Sequence, residues 1–448
     1  MNRPLQADIE ALFEMFNQKK LKALAFSTGF MVRERNFSAS QFIRFLFRQH
    51  RHLIDHSLES LCLELDEQEV QMTKSSLNKR LNWKTVTFLQ ALTTELFALH
   101  VAKNLPTIHP YTFSMIRILD SSIITLPDSY QPYFNGLHHS TVKIHIEIDF
   151  LTQQLLHYQL GNGRDADNPA GWERLEKIHE NELILQDLGY FQYDLFEAID
   201  QKGAFYITKA KKDVPIYVEV DNPPVHPNGV KIEAYRYTRL DLDVEVKQMA
   251  RGTYKEWPFA YAGRHKKLPV RCIIYRQTEE QEKETIARER RRRQTKQGQV
   301  HKKPLDEVLG MTIYLTNVGE DVRVEEIHEF YRLRWQIELL FKTWKSDLNV
   351  ASVKPVKIER WLCHLYVQLI ILFISQKVSG YIKQTLRETI QCIISERKTV
   401  REVAKQVNRL LDDFWKAKSQ FDQALHQLTQ RIRSHCQKSV KRQTRRTS

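Results

Sequence analysis

Apolar positions recur at helical spacing through the first part of the chain. From Phe37 to Phe47 they follow a Ser cap at three- and four-residue intervals, and Leu58, Leu61, Cys62 and Leu65 repeat the pattern. After a break from Asp66 to Met72, Thr73 caps a segment running to Asn82, with Leu77 and Leu81 on the inner side. Lys74, Asn78, Lys79 and Arg80 fall on its outer faces. Two readings stay open here: a helix-turn-helix whose second helix enters a major groove, or an ordinary amphipathic hairpin.

From Ser114 the period becomes extended. Met115 to Leu126 is β-branched and apolar and stops at Pro127. Val142, Ile144, Ile146, Ile148 and Phe150 then alternate with Lys143, His145, Glu147 and Asp149 on the opposite face. Further strands are predicted at Gln154–Leu160, Leu183–Asp187 and Ala204–Lys209, with helices at Gly171–His179 and Tyr193–Gln201 between them. Strands first, then strand and helix alternating, predict an α/β layer with a mixed sheet. Residues 213–306 interrupt this order with extended segments at Val214–Val220, Val230–Tyr237, Asp241–Val246 and Val270–Tyr275, a β-rich insertion. A last strand at Gly310–Thr316 leads to one long helix from about Val324 to Leu348, then helices to about Phe414 and a tail from Arg431.

Composition sharpens this reading. The 448 residues leave room for about three domains. An apolar fraction of 42% with 14 Gly and 14 Pro excludes a disordered or collagen-like chain. The net charge of +14 is consistent with a polyanionic partner, and also with a merely basic, soluble surface. It gathers in Lys283–Lys303, where nine Lys or Arg, among them Arg291, Arg292 and Arg293, face two Glu. Nucleic-acid binding and simple solvation both explain such a run. Five scattered cysteines without a Cys-x-x-Cys pair make a disulfide framework or a structural zinc site an unsuitable reading. The N-terminus has no apolar stretch behind its basic residue, so a cytosolic setting is expected. Trp361–Ser379 carries His364, Gln368, Ser375 and Lys377, which suits a buried helix better than a membrane span.

The chemistry concentrates in Tyr331, Arg334, Glu338 and Lys345. On a single helix, at about 100° per residue, all four fall within about 60° of one another. Leu333, Ile337, Leu340, Phe341 and Trp344 lie on the adjacent arc, so the stripe borders a packed face. An Arg334–Glu338 pair at i,i+4 is the bland explanation, with a contribution of a few tenths of a kcal/mol. The spacing Tyr-x2-Arg-x3-Glu-x6-Lys resembles the YREK signature of DDE insertion-sequence transposases of the group numbered family four. That resemblance implies a ribonuclease-H-like mixed-sheet core interrupted by the β-rich insertion. It also implies that Asp120 at the end of the first strand and Asp187 after a later one complete the acid set with Glu338. Lys143 to His145 is similar to the family's second strand. Leu188 departs from the family, which often has Arg there, and no Trp shortly precedes Tyr331. Trp257 is the nearest upstream, with Tyr314 as a stand-in for the base-stacking aromatic of hairpin-forming relatives.

The same residues make chemical sense. Phosphodiester hydrolysis and transfer need an activated water or 3′-hydroxyl and a stabilised leaving alkoxide, which two Mg²⁺ ions about 4 Å apart supply, with Mn²⁺ as the alternative ion. Asp120 would bridge both ions, and Asp187 and Glu338 would each complete one. Arg334 and Lys345 would clamp flanking phosphates, with Tyr331 hydrogen-bonding one of them. Asp149 is the main rival acid.

The expected organisation is a helical terminal-repeat-binding domain over 1–110, a ribonuclease-H-like core over 111–212 and 307–350, and the insertion at 213–306. A helical region with a basic tail would occupy 351–448. The resemblance implies a bacterial, nucleoid-associated enzyme that binds inverted terminal repeats and target DNA as a homodimer in a synaptic complex, without a membrane. It would cut and paste its element, a hairpin intermediate being one route. A catalytically silent, transposase-derived repressor and a nuclease without strand transfer remain the alternatives.

Overall fold

The structure, a computed structural model, describes residues 3–33, 37–98, 113–151, 154–229, 232, 235–295, 310–347, 353–390 and 394–437. Six helices come first: α1 (Arg3–Glu14), α2 (Gln18–Ser27), α3 (Ala39–Arg48), α4 (Leu58–Asp66), α5 (Lys74–Arg80) and α6 (Trp83–Ala98). Strands β1 (Met115–Thr125), β2 (Thr141–Asp149) and β3 (Gln154–Asn162) follow, then α7 (Asn168–Leu175), β4 (Glu182–Gln186), α8 (Tyr193–Gln201) and β5 (Phe205–Ala210). Next are β6 (Ile216–Glu219), β7 (Tyr237–Arg239), α9 (Leu242–Gln248), β8 (Tyr254–Ala262), β9 (Leu268–Arg276), α10 (Glu279–Thr295) and β10 (Met311–Thr316). The remaining helices are α11 (Val324–Leu333), α12 (Trp335–Asp347), α13 (Ile358–Ile390), α14 (Glu396–Lys416) and α15 (Lys418–His435). The fold is thus mixed α/β, with ten strands among the described residues.

Two compact units divide the chain, the first holding 1–104, 121–165 and 336–448, the second 105–120 and 166–335. Strand β1 contributes to both, passing from one to the other after Asp120.

In the first unit, helices surround a short antiparallel stretch of β2 and β3. Ser38 forms a capping box with Gln41 at the start of α3, which satisfies two otherwise orphaned donors. Helix α13, the one helix among the described residues long and apolar enough to cross a membrane, is 94% buried over its most apolar stretch. It packs on α1, α3, α6 and α14 and on β3, so protein rather than lipid covers its apolar surface. The expected division of β2 into an apolar and a polar face does not hold. Lys143, His145, Glu147 and Asp149 are buried along with their apolar neighbours, because β2 has cover on both sides.

In the second unit the strand order is β1-β4-β5-β10-β9-β8-β6-β7. β1 runs parallel to β4, and β4 to β5, while β10 is antiparallel to both β5 and β9. A buried ion pair pins the start of the first pair: Arg117 Nε donates to Glu182 Oε2 at 2.6 Å and Arg117 also reaches the Lys177 carbonyl. Gly203, at φ +69°, ends α8 in the left-handed region. The strands of segment 213–306 extend this sheet through β9 and β10, and their apolar faces share one core with α8 and α9.

Four sequence expectations change. Asp241–Val246 is not extended: Asp241 accepts hydrogen bonds from the Asp243 and Val244 amides and starts α9, a cap overriding β-branched composition. Strand β8 lies where the sequence pattern predicts no strand. The single helix expected over 324–348 is two, broken at Arg334, and α15 extends helix into the expected tail as far as His435. The expected features at 230–231, 233–234, 296–303 and 438–448 lie outside the described residues.

Candidate active site

Strands β1 and β4 are parallel and their register ends with Leu119 opposite Gln186, so Asp120 and Asp187 come directly after the last paired residues. Asp187 follows the end of β4, but Asp120 is not the end of the first strand as expected: β1 outlasts its pairing with the short β4 and runs on to Thr125. Parallel strands lie about 4.8 Å apart, and the carboxyl edge is where α/β sheets bind ligands. Asp187 leads directly into the turn Leu188–Tyr190. There a Cβ on Gly189 would meet Asp167 Oδ2 at 2.4 Å, so the bare glycine leaves room for the Asp167 carboxylate against the turn. Tyr190, 1% exposed, anchors the turn against Leu119 and Ala170.

The second unit brings Tyr331 and Arg334 to the same carboxylates. Arg334 donates to Asp120 Oδ2 at 2.8 Å, with both side chains largely shielded. Charge-assisted bonds of this kind are short and strong when water is held off. The Tyr331 ring packs 5.4 Å from Tyr314, with Lys209 Nζ 5.0 Å from its centroid and the Arg334 guanidinium 5.9 Å away. Burial pushes the Tyr331 phenol up, Arg334 pulls it down, and Asp187 and Asp120 add to the upward push. Asp120, Asp187, Tyr331 and Arg334 therefore share one electrostatic neighbourhood.

Glu338 and Lys345 stand on α12, in the first unit. Glu338 is exposed in the first turn of that helix. Lys345 donates from Nζ to the Ile123 carbonyl of β1 at 2.7 Å, and burial pushes its ammonium down. The helix break at Arg334 corrects the expectation of one continuous stripe: Tyr331 is 4% exposed while Glu338 faces solvent.

Other expected site residues divide. Asp149 is buried and accepts from the Leu151 amide at 3.0 Å, a turn role in the first unit. Tyr314 cannot serve as a stacking aromatic, since it is 2% exposed and its hydroxyl bonds His328 Nδ1 at 3.1 Å. Trp257 is half-buried on β8. Asn78 and Lys79 are exposed on α5 and Lys74 pairs with Glu59 at 2.7 Å, but Arg80 is half-buried over the Phe37 ring at 4.9 Å. Arg291, Arg292 and Arg293 continue the backbone of α10, and their side chains lie outside the described ones.

Two residues escaped the sequence reading. Lys209 reaches Tyr331 from β5, a neighbour that only sheet pairing supplies. Trp335, beside Arg334, is 58% exposed. Its adjacency to Arg334 stands in the sequence, whereas its exposure comes from the structure.

The donor set suits a hard cation, because carboxylate oxygens are the ligands Mg²⁺ prefers. Among the described residues, no three His, Cys, Asp or Glu side chains are already gathered as a cation cage. The two aspartates form the part of such a set present in one unit.

Comparison with known proteins agrees with this chemistry. A family profile described as Transposase DDE domain matches residues 111–374. The chain is 32% identical over 418 residues to the transposase for insertion sequence element IS231B of Bacillus thuringiensis subsp. berliner, covering 91% of this chain and 86% of that protein. It is 27% identical over 427 residues to the transposase for insertion sequence element IS1151 of Clostridium perfringens, covering 93% and 89%. Among solved structures, the piggyBac transposase synaptic complex with hairpin DNA aligns with a TM-score of 0.48 at 11% identity, over 93% of this chain and 84% of that one. With its two aspartates directly after the paired stretch of β1 and β4, its complete Tyr-Arg-Glu-Lys spacing and the matching family profile and curated relatives, the chain belongs to the DDE transposases, enzymes that cleave and transfer DNA strands.

Proposed function

We propose that this enzyme binds the inverted terminal repeats of an insertion sequence, cuts the element out and joins its ends to target DNA. The observation that carries the reading is the parallel register that sets Asp120 beside Asp187, with Arg334 on Asp120. Asp120, Asp187 and Glu338 would hold two Mg²⁺ ions, or Mn²⁺ in their place. When bound, such ions activate a water or 3′-hydroxyl and stabilise the departing alkoxide.

The chain's own residues do the rest. Arg334 has a planar fork that fits phosphate as well as carboxylate, so it orients the phosphodiester against Asp120. Lys345 sets a second cation beside β1 through its bond to the Ile123 carbonyl. Tyr331, its phenol kept protonated by burial, donates a hydrogen bond to a phosphate oxygen. Trp335 stacks on a base next to the reacting bond. The core would be ribonuclease-H-like, with 213–306 inserted into it, 1–110 reading the repeats and 351–448 ending in a basic tail. Lys74, Asn78, Lys79 and Arg80, and Arg291, Arg292 and Arg293, add contacts to double-stranded DNA. A homodimer would hold two ends in a synaptic complex in the bacterial cytoplasm, at the nucleoid.

The test uses duplexes carrying the repeats that flank the gene. Asp120→Asn, Asp187→Asn and Glu338→Gln should each abolish Mg²⁺-dependent nicking and joining while gel-shift binding persists. Full cleavage by any of the three sinks the assignment. Binding without nicking by the wild-type chain supports the silent-repressor alternative, and nicking without joined products supports the nuclease.

A further inference from the structure

The first unit carries an exposed aromatic pair that the catalytic signature does not use. Trp83, the first residue of α6, and Tyr133, in the connection from β1 to β2, are each 48% exposed, with ring centroids 5.9 Å apart at 41°. Exposed rings this large are unfavourable in water, and the residues beside each are tied down. Asn82 caps α6 by accepting from the Thr85 amide at 3.1 Å and donates to the Lys79 carbonyl at 2.7 Å, so the last turn of α5 and the first of α6 form one corner. On the other side, Tyr130 and Phe134 pack on Trp361, each at 5.8 Å, and the Tyr130 hydroxyl donates to the Val356 carbonyl at 2.6 Å. These anchors leave Tyr133 pointing outward between them. Lys357 completes the frame by donating to the Leu81 carbonyl at 3.1 Å.

The surroundings select the partner. Lys79 and Lys84, four residues before Trp83 and one after it, are both exposed. Asp128, the acid closest along the chain to Tyr133, stands 3.4 Å from His139. A rigid apolar edge between cations suits a polyanion with apolar interior surface, which describes duplex DNA better than a protein face. Two rings tilted at 41° present an edge rather than one flat platform. That shape enters a groove and parts a base step, as apolar wedges do in minor-groove binders.

We propose that Trp83 and Tyr133 form a wedge that enters the minor groove of bound DNA and unstacks one base step, with Lys79 and Lys84 on the flanking phosphates. The inference rests on the transposase reading and adds a contact outside the signature. Because Tyr133 follows β1, and Lys345 holds the Ile123 carbonyl of that strand, the wedge sets the DNA at a fixed spacing from Lys345.

The test uses the full chain, without Mg²⁺, and a terminal-repeat duplex carrying 2-aminopurine at successive positions. Wild type should raise the fluorescence at one step. Trp83→Ala and Tyr133→Ala should lose that signal and bind about ten-fold more weakly by anisotropy, with Trp83→Phe retaining most of both. Lys84→Gln should lower the log–log salt slope by about one. Circular dichroism melts identify any variant that fails to fold, and Trp83→Phe then decides. If the alanine variants match wild type in affinity and fluorescence while wild type binds and nicks, the wedge alone is overturned. Loss of self-association with unchanged DNA binding overturns it as well, in favour of a protein interface. A wild-type chain that binds no terminal DNA overturns both the wedge and the reading beneath it.

Discussion

Arg334 holds the first aspartate at 2.8 Å in a largely shielded position, so it orients a catalytic group as well as any phosphate. Arg334→Ala should lower the rate of Mg²⁺-dependent nicking by about 100-fold or more, as for the loss of one preorganised donor, with end binding nearly unchanged. Arg334→Lys should recover little, since a point charge does not replace a planar fork. Gly189→Ala should displace the Asp167 carboxylate rather than the turn, lowering stability by about 1 kcal/mol or less in a urea titration. Buried imidazoles set the acid limit: burial holds His50 and His364 at about 4, against 6.5 for a free imidazole. The unfolded chain therefore takes up protons that the fold refuses. Stability should fall from about pH 6.5 towards 4, by about 1.4 kcal/mol per unit for each imidazole. Thermal melts between pH 7 and 4.5 check this, and His364→Gln should flatten the slope. At this scale the signature residues were legible because their spacing is covalent. Lys209 was not, because strand pairing rather than sequence distance brings it to Tyr331.

Among the elements, the break at Arg334 matters most for the site. Periodicity alone favoured one helix, since nothing between Val324 and Leu348 is a Gly or Pro. Tertiary packing instead ends α11 where Tyr331 is buried against β5 and β10 and begins α12 at an exposed Trp335. The register of β1 on β4 is the other decisive element. Arg117 and Glu182, 7% and 4% exposed, fix it near the strand starts. Glu182→Ala leaves a buried guanidinium without its carboxylate and should cost about 3–5 kcal/mol by chemical denaturation, with nicking falling alongside. Replacing both partners by Met should restore much of the stability. Thr73→Ala removes the acceptor for the Ser76 amide at the head of α5, an expected loss of about 1 kcal/mol. Weaker end binding by that variant, at unchanged nicking of bound DNA, would favour the helix-turn-helix over the plain hairpin.

Across the whole molecule the net charge of +14 governs how DNA is met. Binding should weaken linearly in log affinity against log salt. Removing residues 438–448, which carry five Lys or Arg and no acid, should reduce that slope by up to about 0.9 per lost phosphate contact, measured by anisotropy from 50 to 300 mM salt. Beyond Asp120 and Asp187, which the family resemblance singles out, the sequence by itself determined the alternation of helix and strand, the burial of α13 and the Tyr-Arg-Glu-Lys spacing. Those follow from local periodicity, capping chemistry and residue type, which act over a few positions. Only the tertiary structure decided that Asp120 and Asp187 directly follow register partners, that Arg334 bonds Asp120, that the helix breaks there and that Trp83 meets Tyr133. Each depends on contacts between residues distant in sequence or on packing around them, and one-residue shifts in register or helix phase would undo them without altering the hydrophobic pattern.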